Sequence, residues 1–323
     1  MVIIANPTAG AGRGREVTER LVLPTLQTLP CACIEVLYTT CLGSGVQLTR
    51  RLFEPSHAQL AIRTPDPSEA ASAECLTIPL LPPGDHRADV SAVVVVGGDG
   101  TMQEVIGGLM SVFDCSAIPS SDVLRVPPVG IVPMGTANSL ASDFLFAPQA
   151  PMSVGGRNKE RALWSKGLSG MEDVVRWAVN RIVQGVAVPI DLLECDGGGE
   201  GRADGKVWGS NGVYLGMLLD VNLVAERLRW IGPKRFDVAG LWCIMQRPAY
   251  LFRMKYVTPE GEKRERTELL HLLSVDKVQH WTDNKRVAFN TQLDNGIAQV
   301  LCVKALLPRR QLLTLMLQAK DFE

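Results

Sequence analysis

The sequence predicts an α/β protein, an N-terminal parallel-sheet domain followed by a C-terminal antiparallel β-sandwich. Three observations carry that prediction. A strand, a polar turn containing Gly and a helix recur three times before residue 150, the pattern of an open parallel sheet. Ala92–Val96 is a continuous run dominated by Val, as expected of a parallel strand buried on both faces. Beyond about residue 188, strand-like segments succeed one another with few helices between them, which reads as antiparallel pairing. The boundary is accordingly set between 1–187 and 188–323.

Taken in order, Val2–Ala5 reads as a buried strand that ends at Asn6-Pro7 and the Gly-rich turn Thr8–Gly14. Arg15–Thr28 reads as a helix, with Val17 and Leu21 one turn apart and Pro24 as a kink. Ile34–Tyr38 is a second strand and Val46–Phe53 a helix. Gly97-Gly98-Asp99-Gly100 follows the Val-rich strand and leads into a helix over Thr101–Met110. Val129–Val132 is a strand, then come Pro133–Asn138 and a helix over Ser139–Phe144. Two segments, Arg63–Asp89 and Ala147–Gly167, read as exposed excursions because structureless loops of that length are uncommon in compact domains. Met171–Val183 is an amphipathic helix. Strands are expected at Ile190–Glu194, Lys206–Val207, Val213–Val221, Tyr250–Val257, Glu268–Val275 and Ile297–Ala305. A hairpin turn is expected at Asp196–Gly205 and one helical excursion near 222–247.

Composition excludes several function classes. The chain of 323 residues balances 33 Lys+Arg against 34 Asp+Glu, a net charge of −1, so it is not a general polyanion binder and no nucleic-acid partner is expected. An apolar share of 46% excludes disorder. No apolar run is long enough to cross a bilayer, and no leader signal is legible, so a cytoplasmic protein is expected. The eight Cys have no zinc-ligand spacing and the four His are scattered. The Cys read as reduced structural thiols, and no metal ligands are assigned.

Chemistry concentrates in the turns. Gly97, Gly98 and Gly100 around Asp99, with Thr101 and then Glu104 one turn on, let backbone approach a ligand closely and expose N–H groups at a helix N-terminus, where phosphate is favoured. A carboxylate among those glycines suits a group that holds a cation or takes a proton from an attacking hydroxyl. Asn6 and the Gly10-x-Gly12-x-Gly14 turn, and the Gly135-Thr136-Ala137-Asn138 turn, stand at the same sheet edge. Together the three turns describe a nucleotide-phosphate cleft. No P-loop spacing is present.

Asn6-Pro7…Gly10, Gly97-Gly98-Asp99-Gly100-Thr101-x-x-Glu104 and Pro133-x-Gly135-Thr136-Ala137-Asn138-x-x-Ala141 resemble, in order and spacing, the diacylglycerol-kinase catalytic family of lipid kinases. Glu226-x-x-Arg229-Trp230-Ile231-Gly232-x-x-Arg235-Phe236-Asp237 is similar to the sphingosine and ceramide kinase branch. The resemblance implies an α/β nucleotide domain, a β-sandwich lipid domain, ATP and Mg2+ as cofactors, and phosphoryl transfer to a lipid hydroxyl. It implies ATP contacts at Asn6, Thr8, Thr40, Gly97, Gly98, Gly100, Thr101, Glu104, Gly135, Thr136 and Ala137. It further implies Asp99 as the catalytic acid-base residue, and Arg229 and Arg235 on the phosphates. Asp220 and Asn222 fall where sphingosine kinases carry an Asp-x-Asp pair whose second acid holds the substrate amine; that second acid is an amide in this chain. That leaves sphingosine, ceramide and diacylglycerol open as substrates. Leu293-Asp294-Asn295-Gly296 is close to the family's Asp-Asp-Gly, and the family's terminal Asp-Gly-Glu is not seen before Glu323. This leaves a catalytically inactive relative open as well. The basic and aromatic patch at Arg227–Phe236, with Trp242 and Phe252, suggests peripheral contact with a membrane that presents the lipid.

Overall fold

A computed structural model of the protein describes residues 1–30, 33–53, 90–113, 126–146, 171–185, 187–196, 206–282, 285–288 and 290–318. Both long excursions and most of the Asp196–Gly205 turn lie outside the described residues. The chain divides into two compact units. One comprises Met1–Gly135 with Arg161–Ala187, the other Thr136–Glu160 with Val188–Glu323.

The first unit is built on four parallel strands, β1 (Val2–Ala5), β2 (Glu35–Tyr38), β3 (Val93–Gly97) and β4 (Val129–Pro133), in the order β2-β1-β3-β4. Every residue of β1 and β3 is buried. Side chains alternate between faces along a strand, so Ile3, Ala5, Val94 and Val96 share one face. They pack there with Val17, Val22, Leu26, Val132, Val175 and Val179. Each such side chain contributes about 1.5–3 kcal/mol on burial. Three of these partners lie on a helical stretch that runs from α1 (Gly14–Val17) to α2 (Leu23–Leu26), and two on α6 (Met171–Gln184).

The α1–α2 stretch is the expected helix, irregular at the expected Pro24. Between its two α-helical ends, Thr18–Val22 forms a wide π turn, and Pro24 sits at the start of α2. Proline has no N–H to give and its ring clashes with the carbonyl one turn back; the wider turn relieves both. On the unit's other helices, α3 (Ser44–Phe53) and α4 (Asp99–Val112) each begin two residues earlier than expected.

The second unit holds α5 (Ser139–Phe146) and an antiparallel sheet. Its strands are β7 (Gly212–Gly216), β8 (Tyr250–Val257), β9 (Lys263–Asp276) and β12 (Gln299–Lys304). The C-terminal half of β9 pairs with β7 and β12, and its N-terminal half with β8. Two further antiparallel pairs join β5 (Leu193–Asp196) to β6 (Lys206–Gly209), and β10 (His280–Thr282) to β11 (Lys285–Arg286).

The expected strand over Val213–Val221 is corrected: its second half is the start of α7 (Met217–Arg227). Gly216 makes the switch with φ +72 and ψ −135, a conformation that residues with a Cβ rarely adopt. Then follow a 3-10 turn (Arg229–Lys234), α8 (Arg235–Gln246) and, after β12, α9 (Arg309–Gln318), a helix absent from the sequence reading.

A buried polar spine stiffens this unit. The Lys277 ammonium is 2.6 Å from Asp191 and donates to the Gln292 carbonyl and Asn295 Oδ1. Gly296 N–H donates to Asp191 as well. Trp281 Nε1 and Ser274 Oγ donate to Asp276, whose carboxyl is pushed up by burial.

Candidate functional site

In the first unit, the chain turns from β1 to β2 on one side and to β3 on the other, so the strand order reverses between β1 and β3. Ligands of open α/β sheets gather outside the strand C-termini at such a point. The turns that follow these two strands are Asn6–Gly14 and Gly97–Thr101.

Asn6 closes the first turn locally. Its Oδ1 accepts the Thr8 N–H at 3.0 Å and the Thr8 hydroxyl at 2.8 Å. Gly10, in left-handed backbone, donates its N–H to Met134 O at 2.8 Å. The turn therefore arches over the end of β3 to reach the end of β4.

Gly98 is the N-cap of α4 and Asp99 its first residue. A Cβ on Gly98 would stand 2.8 Å from Gly135 Cα, so only glycine allows the two turns to come this close. The first N–H groups of a helix have no partner within it, and here they open at the strand C-termini with the positive end of the helix dipole. That donor set fits a phosphate. Asp99 is partly exposed beside it.

Glu104, one turn into α4, has a defined task. Its two carboxylate oxygens accept the N–H groups of Gly43 and Gly45, each at 2.8 Å. Ser44 Oγ in turn accepts the Thr40 N–H at 3.0 Å. The acid thus fastens the loop that carries Thr40 to the helix that carries Asp99. The sequence placed Glu104 among ligand contacts; its bridging geometry depends on glycines some 60 residues away and had no local signal.

In the second unit, Thr136 and Ala137 lead to Asn138, which is buried with φ +51. Helix α5 after it is tied to β10. Asp143 accepts the backbone N–H groups of Gln279 (2.7 Å) and His280 (3.0 Å), and its Oδ1 lies 2.7 Å from His280 Nδ1. The Ser139 hydroxyl donates to Trp281 O at 2.6 Å. Neither Asp143 nor its partners Gln279 and His280 were singled out from sequence as a contact.

Asp220 lies in the first turn of α7, and Tyr250 OH donates to its Oδ2 at 2.6 Å. Asn222 turns its amide back to Leu218 O at 3.0 Å. The Arg235 guanidinium lies over the Phe236 ring at 4.9 Å and 4.0 Å from Glu226. Its Nε is buried with no hydrogen-bond partner among the described residues, the state of a donor that fits an anion. Of Arg229 only the backbone, in the 3-10 turn, is described.

Among the described residues no group of three His, Cys, Asp or Glu is placed to hold a metal, and no helix is long and apolar enough to cross a membrane. The five described cysteines are all free thiols.

The family model of the diacylglycerol kinase catalytic domain matches residues 46–195. Sphingoid long-chain bases kinase 1 of Arabidopsis thaliana is 26% identical over 88% of this chain and 29% of its own. Mitochondrial acylglycerol kinase of Mus musculus is 26% identical over 48% of this chain and 30% of its own. Sphingosine kinase 1 of Arabidopsis thaliana is 24% identical over 52% of this chain and 28% of its own. The chain thus spans under a third of the length of these relatives. The crystal structure of a diacylglycerol kinase from Bacillus anthracis str. Sterne superposes with a TM-score of 0.51 at 17% identity, covering 94% of this chain and 73% of that one. A second solved structure from that bacterium reaches a TM-score of 0.57 at 18% identity, over 100% of this chain and 80% of the other. These two establish the fold. The matched segment, residues 46–195, is similar to the diacylglycerol kinase catalytic domain.

Proposed function

We propose that this chain is an ATP- and Mg2+-dependent lipid kinase that transfers the γ-phosphoryl group to a primary hydroxyl of a sphingoid lipid. The observation that carries the reading is the Gly98-Asp99 turn. It sets a carboxylate on the first residue of a long helix, whose N-terminus suits phosphate. The relative that aligns over most of this chain is named for sphingoid bases, which supports the substrate class.

In this reading ATP meets Asn6, Thr8, Thr40, Gly97, Gly98, Gly100, Thr101, Gly135, Thr136 and Ala137, while Glu104 acts through the Thr40 loop it fastens. Asp99 orients the lipid hydroxyl and takes its proton as oxygen attacks phosphorus. The bond from phosphorus to the ADP oxygen breaks in the same step, and Arg229 and Arg235 stabilise charge on the phosphoryl oxygens. Mg2+ is commonly held by one or two carboxylates plus substrate phosphates; Asp99 would supply the carboxylate, and the ion would neutralise phosphate charge. Asp220 and Asn222 receive the lipid headgroup. Exposed Trp230 (82%) and Trp242 (54%) favour peripheral contact with the membrane that presents the lipid, and a cytoplasmic location belongs to the same reading.

The test is transfer of label from radiolabelled ATP into separate micelles of sphingosine, ceramide and diacylglycerol. Label should enter sphingosine, and Asp99→Asn should lower turnover by roughly 10²–10⁴-fold with little change in folding. Near-parental turnover in that variant would overturn the role of Asp99. The back-bonded amide at Asn222 favours a second reading, a ceramide or diacylglycerol kinase, which label in those lipids would establish. ATP binding without transfer would indicate a catalytically inactive, lipid-binding relative.

A further inference from the structure

The hydrogen bond between Tyr250 and Asp220 is built by a specific local geometry. Gly216 ends β7 in backbone reserved for glycine, and a Cβ there would stand 2.7 Å from the His271 carbonyl and 3.2 Å from the Tyr250 ring. Only with glycine does the first turn of α7 come down against the first residue of β8. Cys243 of α8 closes the third side, its thiol pushed up by burial and by the charge of Asp220. Beside this carboxylate on α7, Leu219 and Leu223 are exposed. A held carboxylate among exposed apolar side chains suits an amphiphile whose polar head carries hydrogen-bond donors and whose tail is hydrocarbon.

Such a bond contributes little to stability, because both groups are partly exposed and water competes for them. Its effect is on orientation. A carboxylate on a free χ1 samples several rotamers, whereas one that accepts a phenol hydroxyl at 2.6 Å is confined to one.

We infer that Tyr250 is a positioning residue for lipid recognition: its hydroxyl holds Asp220 in the rotamer that meets the headgroup donors. This deepens, and rests on, the assignment of Asp220 to the lipid headgroup. The phenol is pushed up to about 12, chiefly by the Asp220 hydrogen bond, so it keeps its proton and remains a donor throughout the neutral range.

The experiment compares wild type, Tyr250→Phe, Asp220→Asn and the double variant. It reads KM for lipid and for ATP, kcat, and equilibrium capture of sphingosine or ceramide micelles by tryptophan fluorescence. Tyr250→Phe keeps the ring against Phe252, 6.3 Å away, and should melt as wild type does. Lipid KM and micelle capture should weaken about tenfold, the scale of one hydrogen bond to a charged group. KM for ATP and kcat at saturating lipid should hold, and the hydroxyl should have no effect once Asp220 is Asn. Unchanged lipid KM and capture, equal losses in kcat and ATP affinity, or strictly additive effects would each overturn the inference. A wild type that transfers no label defeats the kinase reading alone, because micelle capture by Tyr250→Phe still decides the role of Tyr250.

Discussion

At the scale of single residues, two tyrosines report on their surroundings through alkaline titration. Tyr38 donates to Glu19 at 3.0 Å with the Arg15 guanidinium 4.5 Å over its ring. Burial and then the Glu19 hydrogen bond push its phenol up to about 12, and Tyr250 is pushed to about 12 by Asp220. An unfolded tyrosine loses its proton near pH 10. The fold therefore favours the protonated phenols. Their contribution to stability is complete below about pH 10 and is lost as pH rises toward 12. Tyrosinate absorbance should show a late component that Tyr38→Phe and Tyr250→Phe each reduce. A titration with every tyrosine complete near pH 10 would refute it.

At the scale of elements, α5 shows how a short helix is made to stand. Eight residues cannot sustain a helix alone in water, and its fixture is Asp143. Replacing Asp143 by Ala would strip the acceptor from three buried donors of Gln279 and His280, at a cost of about 3–5 kcal/mol. Asp143→Asn, which retains one oxygen, should lose less. Urea denaturation would measure both, and equal stability of the alanine variant and wild type would contradict the role given to Asp143.

This element also marks what was legible in the sequence. The Val93–Val96 strand, the Gly97–Thr101 turn and the helix after it could be read because signal and structure are local. Asp143 could not, because its partners lie some 137 residues away and an acid in a helix has no local mark. The misreading at Val213–Val221 has a different cause. A continuous apolar run is compatible with either a strand or a buried helix, and the break is made by the backbone of Gly216 alone. For Asp220 the residue was legible, but Tyr250, which holds it, was not.

For the whole molecule, a net charge of −1 means that attraction to a lipid surface cannot rest on bulk electrostatics. The exposed apolar side chains of α7, the 3-10 turn and α8, namely Leu223, Trp230, Leu241 and Trp242, supply a hydrophobic alternative that salt does not screen. In liposome flotation the protein should rise with neutral vesicles and remain with them at about 1 M salt, where the Debye length is ~3 Å. Trp230→Ser with Trp242→Ser should leave it in the dense fraction. No association of the wild type would remove membrane contact from the proposed function.

The strand order of the first unit has a consequence for synthesis. Ile3 and Ile4 occupy the centre of the sheet, between β2 and β3, yet are made before either strand they pair with. Their partner Val93–Val96 is made about ninety residues later, on the order of ten seconds at roughly 5–20 residues per second. During that interval a sticky β-branched segment has only Glu35–Tyr38 to pair with. A nascent chain of this kind invites a holdase on β1 until β3 emerges, and a disruption of β1 strikes the middle of the sheet.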